Sequence, residues 1–227
     1  MYYMIKPGFI GRDKFIEVMM ELGFRLKHRR NYRRTTYAGK RVYPNLIKGM
    51  AVSSPSTVWQ SDITYISAGN KFYYAVFIID VYSKKIVGYR VSDSMRAKAN
   101  YEALAMALRV NPAPTIHHSD RGSQYSSTEY INMLKDKGCQ ISMGLTAQDN
   151  AYAERINGTI KTEYLESWKP KTYNQLKRQI DKAVNDYNNH RLHNHLNRLN
   201  PVEFETRWHT DPTFDKPTIT IFDDNNI

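Results

Sequence analysis

From Val58 onward the chain changes its hydrophobic period, and that change restricts the fold more than any other feature. Residues 58–66 (VWQSDITYI), 71–81 (KFYYAVFIIDV) and 85–92 (KIVGYRVS) are dense in β-branched and aromatic residues. Only 67–70 (SAGN) and 82–84 (YSK) separate them, and links that short join antiparallel neighbours. The spacing predicts a three-stranded meander. Next come a helical stripe over 97–109, a short strand at 115–118, a helix at 127–137 opened by Ser126 or Ser127, and a strand at 139–143. Three antiparallel strands followed by alternating helix and strand predict an α/β fold, a mixed five-stranded sheet flanked by helices.

Asp62 lies in the middle of the first of these strands, where a carboxylate is costly unless something cationic compensates it. Asp120 follows the fourth strand in IHHSDRGSQY, and Glu154 lies in the helical stretch DNAYAERINGTIKTEY. A helix beginning near Asp149 puts Asn150, Glu154, Asn157 and Lys161 on one face. Ala153, Ile156, Ile160 and Tyr164 form an apolar stripe beside it. Carboxylates on separate elements, with no cysteine cluster nearby, suit hard divalent cations with oxygen ligands, such as Mg²⁺. Taken alone, the third segment reads better as an amphipathic helix with a surface Glu–Lys pair; with the two aspartates in place it does not.

Other polar residues have plainer readings. Asp80 is a turn or strand-end acid, and Glu163, nine positions after Glu154, faces away from it into solvent. His117 and His118 either orient water at the site or are satisfied strand-end histidines. His190, His193 and His195 lie in an Asn-rich stretch without cysteine partners and read as DNA contacts or plain surface rather than a zinc site. Further on, Thr172 and Gln175 have capping-box spacing ahead of an apolar stripe, which predicts a core-covering helix over 172–190.

Charge divides the chain. Residues 1–50 hold twelve Lys and Arg against three acids, a net +9 of the whole chain's +11. A helix over 12–22, stopped by Gly23, precedes a basic, irregular stretch in which Tyr32, Tyr37 and Tyr43 alternate with cations. Phosphates attract the cations and bases stack on the aromatics, so Arg29, Arg30, Arg33 and Arg34 are candidate DNA contacts. The expected domains are a basic DNA-binding arm (1–50), an α/β core with C-terminal helices (51–209) and a tail (210–227). One cysteine, Cys139, excludes an intramolecular disulfide and reads as a small buried hydrophobe. The absence of a long apolar run or a secretory leader leads to the expectation of a cytoplasmic protein with no membrane association.

The element order resembles that of ribonuclease-H-like nucleases and integrases. The stretches YPNLIKG (43–49), VWQSDITYI, FYYAVFIIDVYSKKIVGY (72–89), HHSDRGSQYSS (117–127), LTAQDNAYAERINGTIKTEYL (145–165) and YNNHRLHNHL (187–196) together resemble the DDE transposases of bacterial insertion sequences. That group lies within the retroviral-integrase-like superfamily, and its catalytic protein comes from a second reading frame. The resemblance implies metal-dependent DNA nicking and strand transfer at element ends by Asp62, Asp120 and Glu154, with two Mg²⁺ or Mn²⁺ ions roughly 3.5–4 Å apart. It implies that Lys161 contacts end DNA, with Asn150, Asn157, Arg155 and Arg191 as further DNA contacts. It also implies a homo-oligomer on DNA and an upstream-frame helix-turn-helix partner or fusion. Leu192 stands where the group has proline. The alternative is a truncated DNA-binding product that regulates full-length transposase.

Overall fold

A computed structural model describes residues 10–24 and 42–221. Two compact units divide the chain, Met1–Thr35 and Thr36–Ile227. In the first, helix α1 (Arg12–Glu21) forms where the apolar stripe places it, and none of its residues is buried. Arg29, Arg30, Arg33 and Arg34 lie outside the described residues.

The second unit is built on a five-stranded sheet. Strand β1 (Ala51–Val52) belongs to a separate small ladder. The main sheet comprises β2 (Val58–Ala68), β3 (Lys71–Asp80), β4 (Ile86–Ser92), β5 (Ile116–Ser119) and β6 (Gln140–Met143), in the order β4-β3-β2-β5-β6. The pairs β2–β3 and β3–β4 are antiparallel, while β2–β5 and β5–β6 are parallel. The expected mixed sheet is therefore present, with its switch of direction beside β2.

Why 72–81 is apolar almost throughout follows from layering. Successive strand residues point to opposite faces, and both faces of β3 are covered. Val76 and Ile78 pack with α2 (Ala97–Val110) and α3 (Thr128–Asp136). Ala75, Phe77 and Ile79 pack with α4 (Ala151–Thr159) and α5 (Tyr173–Asn189). Ser127 caps α3 by accepting from the Tyr130 N–H, and Thr172 caps α5 by accepting from the Gln175 N–H. Cys139 is a buried free thiol in the α2–α3 layer. On the sheet's edge, the Asn188 side chain both accepts from the Ile86 N–H and donates to its carbonyl, each at 2.9 Å. It pairs backbone that the edge strand would otherwise leave open.

The expected boundaries at 50 and 209 both fall inside the fold. Ile47 is wholly buried, in one cluster with Val52, Val58, Phe204 and Ile221. Helix α6 (Pro201–Thr210) is tied to the β3–β4 turn by a Lys85–Glu205 ion pair of 2.5 Å. Strand β7 (Ile219–Thr220) then pairs with β1. Residues 210–221 are not a separate tail, because their apolar side chains close the end of the core that Ile47 and Val58 leave open.

Candidate active site

Parallel pairing of β2 with β5 aligns Ser61 with Ser119. Asp62 and Asp120 are therefore the next residues in register on neighbouring strands. Glu154 arrives on the first turn of α4, and three side chains hold that helix to β2. Gln60, with no exposed surface, accepts through Oε1 from the N–H groups of Tyr152 (3.1 Å) and Ala153 (3.3 Å). These are among the N–H groups that a helix start leaves without partners. Asn150 donates to the Ser61 carbonyl at 2.9 Å, and Asn157 donates to Asp62 Oδ2 at 2.8 Å.

These contacts bring the acids within reach of one another's charge. Asp62 has its pKa raised to about 7, first by burial, then by the charges of Asp120 and Glu154; hydrogen bonds from the Ile63 N–H and Asn157 offset part of the rise. Asp120 is also raised, by burial, against a 2.9 Å bond from the Gly122 N–H. Mutual repulsion of this kind is what a cation relieves. Among the described residues no three His, Cys, Asp or Glu side chains converge into a ready-made metal cage. The donor set is nonetheless all carboxylate oxygen, which fits a hard divalent ion.

The structure re-assigns several expected contacts. Asn150 and Asn157, expected on a DNA-facing surface, are buried and turned inward to β2. Their neighbours on the apolar stripe draw that side of α4 against the sheet. The helix then widens into a π segment, Ile160–Leu165, before Glu166–Trp168. That segment breaks the 3.6-residue repeat on which the alignment of Lys161 with Glu154 rests; Lys161 itself is half-buried. Arg155 is exposed. Arg191 makes a bidentate ion pair with Glu163 at 2.7 and 2.8 Å, so Glu163 is an arginine partner rather than merely solvated.

Asp80 is the turn acid expected, buried and accepting from the N–H groups of Ser83 and Ser56. Both strand histidines are satisfied on one ring nitrogen: His117 by the Tyr130 hydroxyl at 3.0 Å, His118 by Ser142 Oγ at 2.8 Å. Burial holds their pKa values down to about 3 and about 4, so both are neutral. Ser142 Oγ also accepts from the Leu46 N–H, and Asn45 donates to Asp149, which caps the entry to α4. Sequence reasoning missed Gln60. Its signal was position: two residues before Asp62, on the same face of β2.

A sheet of this order, with carboxylates on its central strands and a helix bringing a third, is the integrase core architecture. The chain matches the integrase core domain family over residues 52–148, and a second integrase core domain family over 137–201. It is 34% identical over 208 residues to the 31 kDa protein of insertion element IS600 from Shigella sonnei, covering 88% of this chain and 76% of that one. It is 39% identical over 182 residues to the transposase of IS629 from Shigella sonnei, covering 78% of this chain and 60% of the relative's length. In fold it is similar to the HTLV-2 integrase catalytic core domain solved with magnesium: TM-score 0.57, 19% identity, 67% of this chain and 97% of that one. The chain belongs to the insertion-sequence transposases that carry an integrase core, and its function lies in transposition-related DNA integration. No helix among the described residues is long and apolar enough to cross a membrane.

Proposed function

We propose that this protein nicks DNA at insertion-sequence ends and transfers the freed 3′ end to a target strand, using Asp62, Asp120 and Glu154. One observation carries the reading: Asp62, in an interior strand, is held protonated toward neutral pH by burial and by the combined charge of Asp120 and Glu154. Buried carboxylates whose charges bear on one another cluster at functional sites. These side chains would hold Mg²⁺ or Mn²⁺, two ions per site, which when bound activate the attacking oxygen and stabilise the departing one. Gln60 and Asn157 orient the two ends of the constellation. Tyr125 is buried and its hydroxyl pairs with Ser61, the residue before Asp62, at 3.0 Å. Lys161, and the arm arginines 29, 30, 33 and 34, would engage DNA phosphates. A homo-oligomer on DNA and an upstream-frame helix-turn-helix partner complete the proposal, since two element ends must meet.

The test is nicking of an oligonucleotide carrying the element end, with Mg²⁺ or Mn²⁺, by the parent chain and by Asp62→Asn, Asp120→Asn and Glu154→Gln. Nicking by the parent alone supports the reading. Retained nicking in Asp62→Asn overturns it. A parent that binds ends but never nicks them favours the regulatory alternative.

A further inference from the structure

A second set of charges gathers on the first turn of α4, apart from the carboxylates. Lys84, in the β3–β4 turn with φ 60°, lies 4.1 Å over the ring of Tyr152. Its Nζ donates to the Val81 carbonyl at 2.6 Å, which uses one of three N–H donors. Arg155 is three residues beyond Tyr152 and so shares its helix face. His193 packs edge-on against Tyr187 at 5.0 Å, and Arg191 lies over that same ring at 5.7 Å. The Nε2 of His193 is buried with no hydrogen-bond partner.

These groups act on one another. Burial first, then the charges of Arg191, Lys84, Arg155 and His195, hold His193 down to about 3. Lys84 is lowered to about 7 by burial, with the Asp80 charge offsetting part of the fall and Arg155 adding to it. Two acids bear on the group: Asp80, which accepts from Ser56 and Ser83 and also acts on Lys84, and Glu163, which is paired with Arg191. Burial makes charge on Lys84 costly, and an anion seated between it and Arg155 would restore that charge, while the neutral His193 ring offers an unpartnered nitrogen. A phosphodiester suits the set, because arginine and lysine both pair with its free oxygens and a histidine nitrogen can add a third donor.

We propose that Lys84, Arg155 and His193, flanked by Tyr152 and Tyr187, form a phosphate-binding site that grips one backbone phosphate of DNA outside the carboxylate centre. The assignment of DNA rests on the function proposed above. Arg155 is adjacent in sequence to Glu154, so a strand held there is set at a fixed offset from the carboxylates.

The test uses the full chain without divalent metal, so that no strand is cut. Duplex binding is measured against salt for the parent, Arg155→Gln and Lys84→Met, and the His193 ring is followed by ¹⁵N NMR as duplex or inorganic phosphate is added. Each substitution is expected to weaken binding severalfold and to lower the log K–log salt slope by roughly one. The ring signal is expected to move with duplex. Arg155 is exposed, so its variant remains informative if Lys84→Met fails to fold. A ring signal that answers only to inorganic phosphate, with unchanged slopes, overturns the DNA assignment; no response to either overturns the site. If the slopes fall but the parent never nicks DNA with metal, the site stands and the strand-transfer reading fails.

Discussion

At the residue scale, Asp62 sets the pH behaviour. Its folded pKa, about 7, lies above the ordinary 3.8, so the native state binds the proton more tightly than the unfolded chain does. The stability this one group contributes is therefore fully present below pH 4 and is lost as pH climbs toward and through 7. The buried neutral histidines His117, His118 and His193 act in the opposite sense below their unfolded value. Asp62→Asn removes the titration and keeps an acceptor for Ile63. In EDTA at pH 8 it is expected to exceed the parent in stability by on the order of 1–3 kcal/mol. The gap should close near pH 4 in urea titrations, and a variant less stable at pH 8 contradicts the assignment. Gln60→Leu works in the other direction. It strands the N–H groups of Tyr152 and Ala153 and should cost about 1–3 kcal/mol by the same titration. Asp62 stands out in the sequence because a carboxylate in an apolar strand needs a cause, whereas Glu154 taken alone reads as a surface helix residue and is singled out only together with Asp62 and Asp120. Gln60 was not legible, since glutamine in a strand is as much at home on a wet face, and only the docking of α4 decides which face is wet.

At the element scale, short-range signals carried far. The meander, the helix–strand alternation and the cap at Thr172 follow from local spacing, and each element forms within one to three residues of its expected place. What local spacing does not contain is the π segment at Ile160–Leu165, because an i→i+5 turn depends on how Tyr164 and Leu165 seat in the core rather than on propensity. The same limit applies to Ile47 and Ile221, which belong to the core through pairing of distant segments. Helix α5 offers the cleanest test of its predicted role as a cover. Leu176, Ile180 and Ala183 are wholly buried along one face, and Lys177 lies off it. Ile180→Ala should cost on the order of 2–5 kcal/mol, seen as a lower urea midpoint at constant m-value. Lys177→Ala should leave the midpoint in place.

For the molecule as a whole, the question is where its charge acts. Residues 1–35, the first compact unit, carry nine Lys and Arg against three acids, a net +6 of the total +11. A deletion through residue 50 is the wrong experiment, because it removes Ile47 from the core and Asn45 from Asp149, the cap at the entry to α4. Loss of DNA binding would then report damage to the helix that carries Glu154. Deleting 1–35 leaves both contacts in place and removes a net +6 of charge together with helix α1. That chain is expected to keep its thermal midpoint within a few degrees of the parent. Its DNA affinity should fall and its log K–log salt slope should flatten, because fewer counterions are released per complex. Binding measured between 50 and 200 mM salt checks this, and a slope equal to the parent's places the DNA-binding charge on the sheet unit instead. In that outcome the remaining net +5 of residues 36–227 carries the affinity, and the Lys84–Arg155–His193 group is where its loss should first be sought.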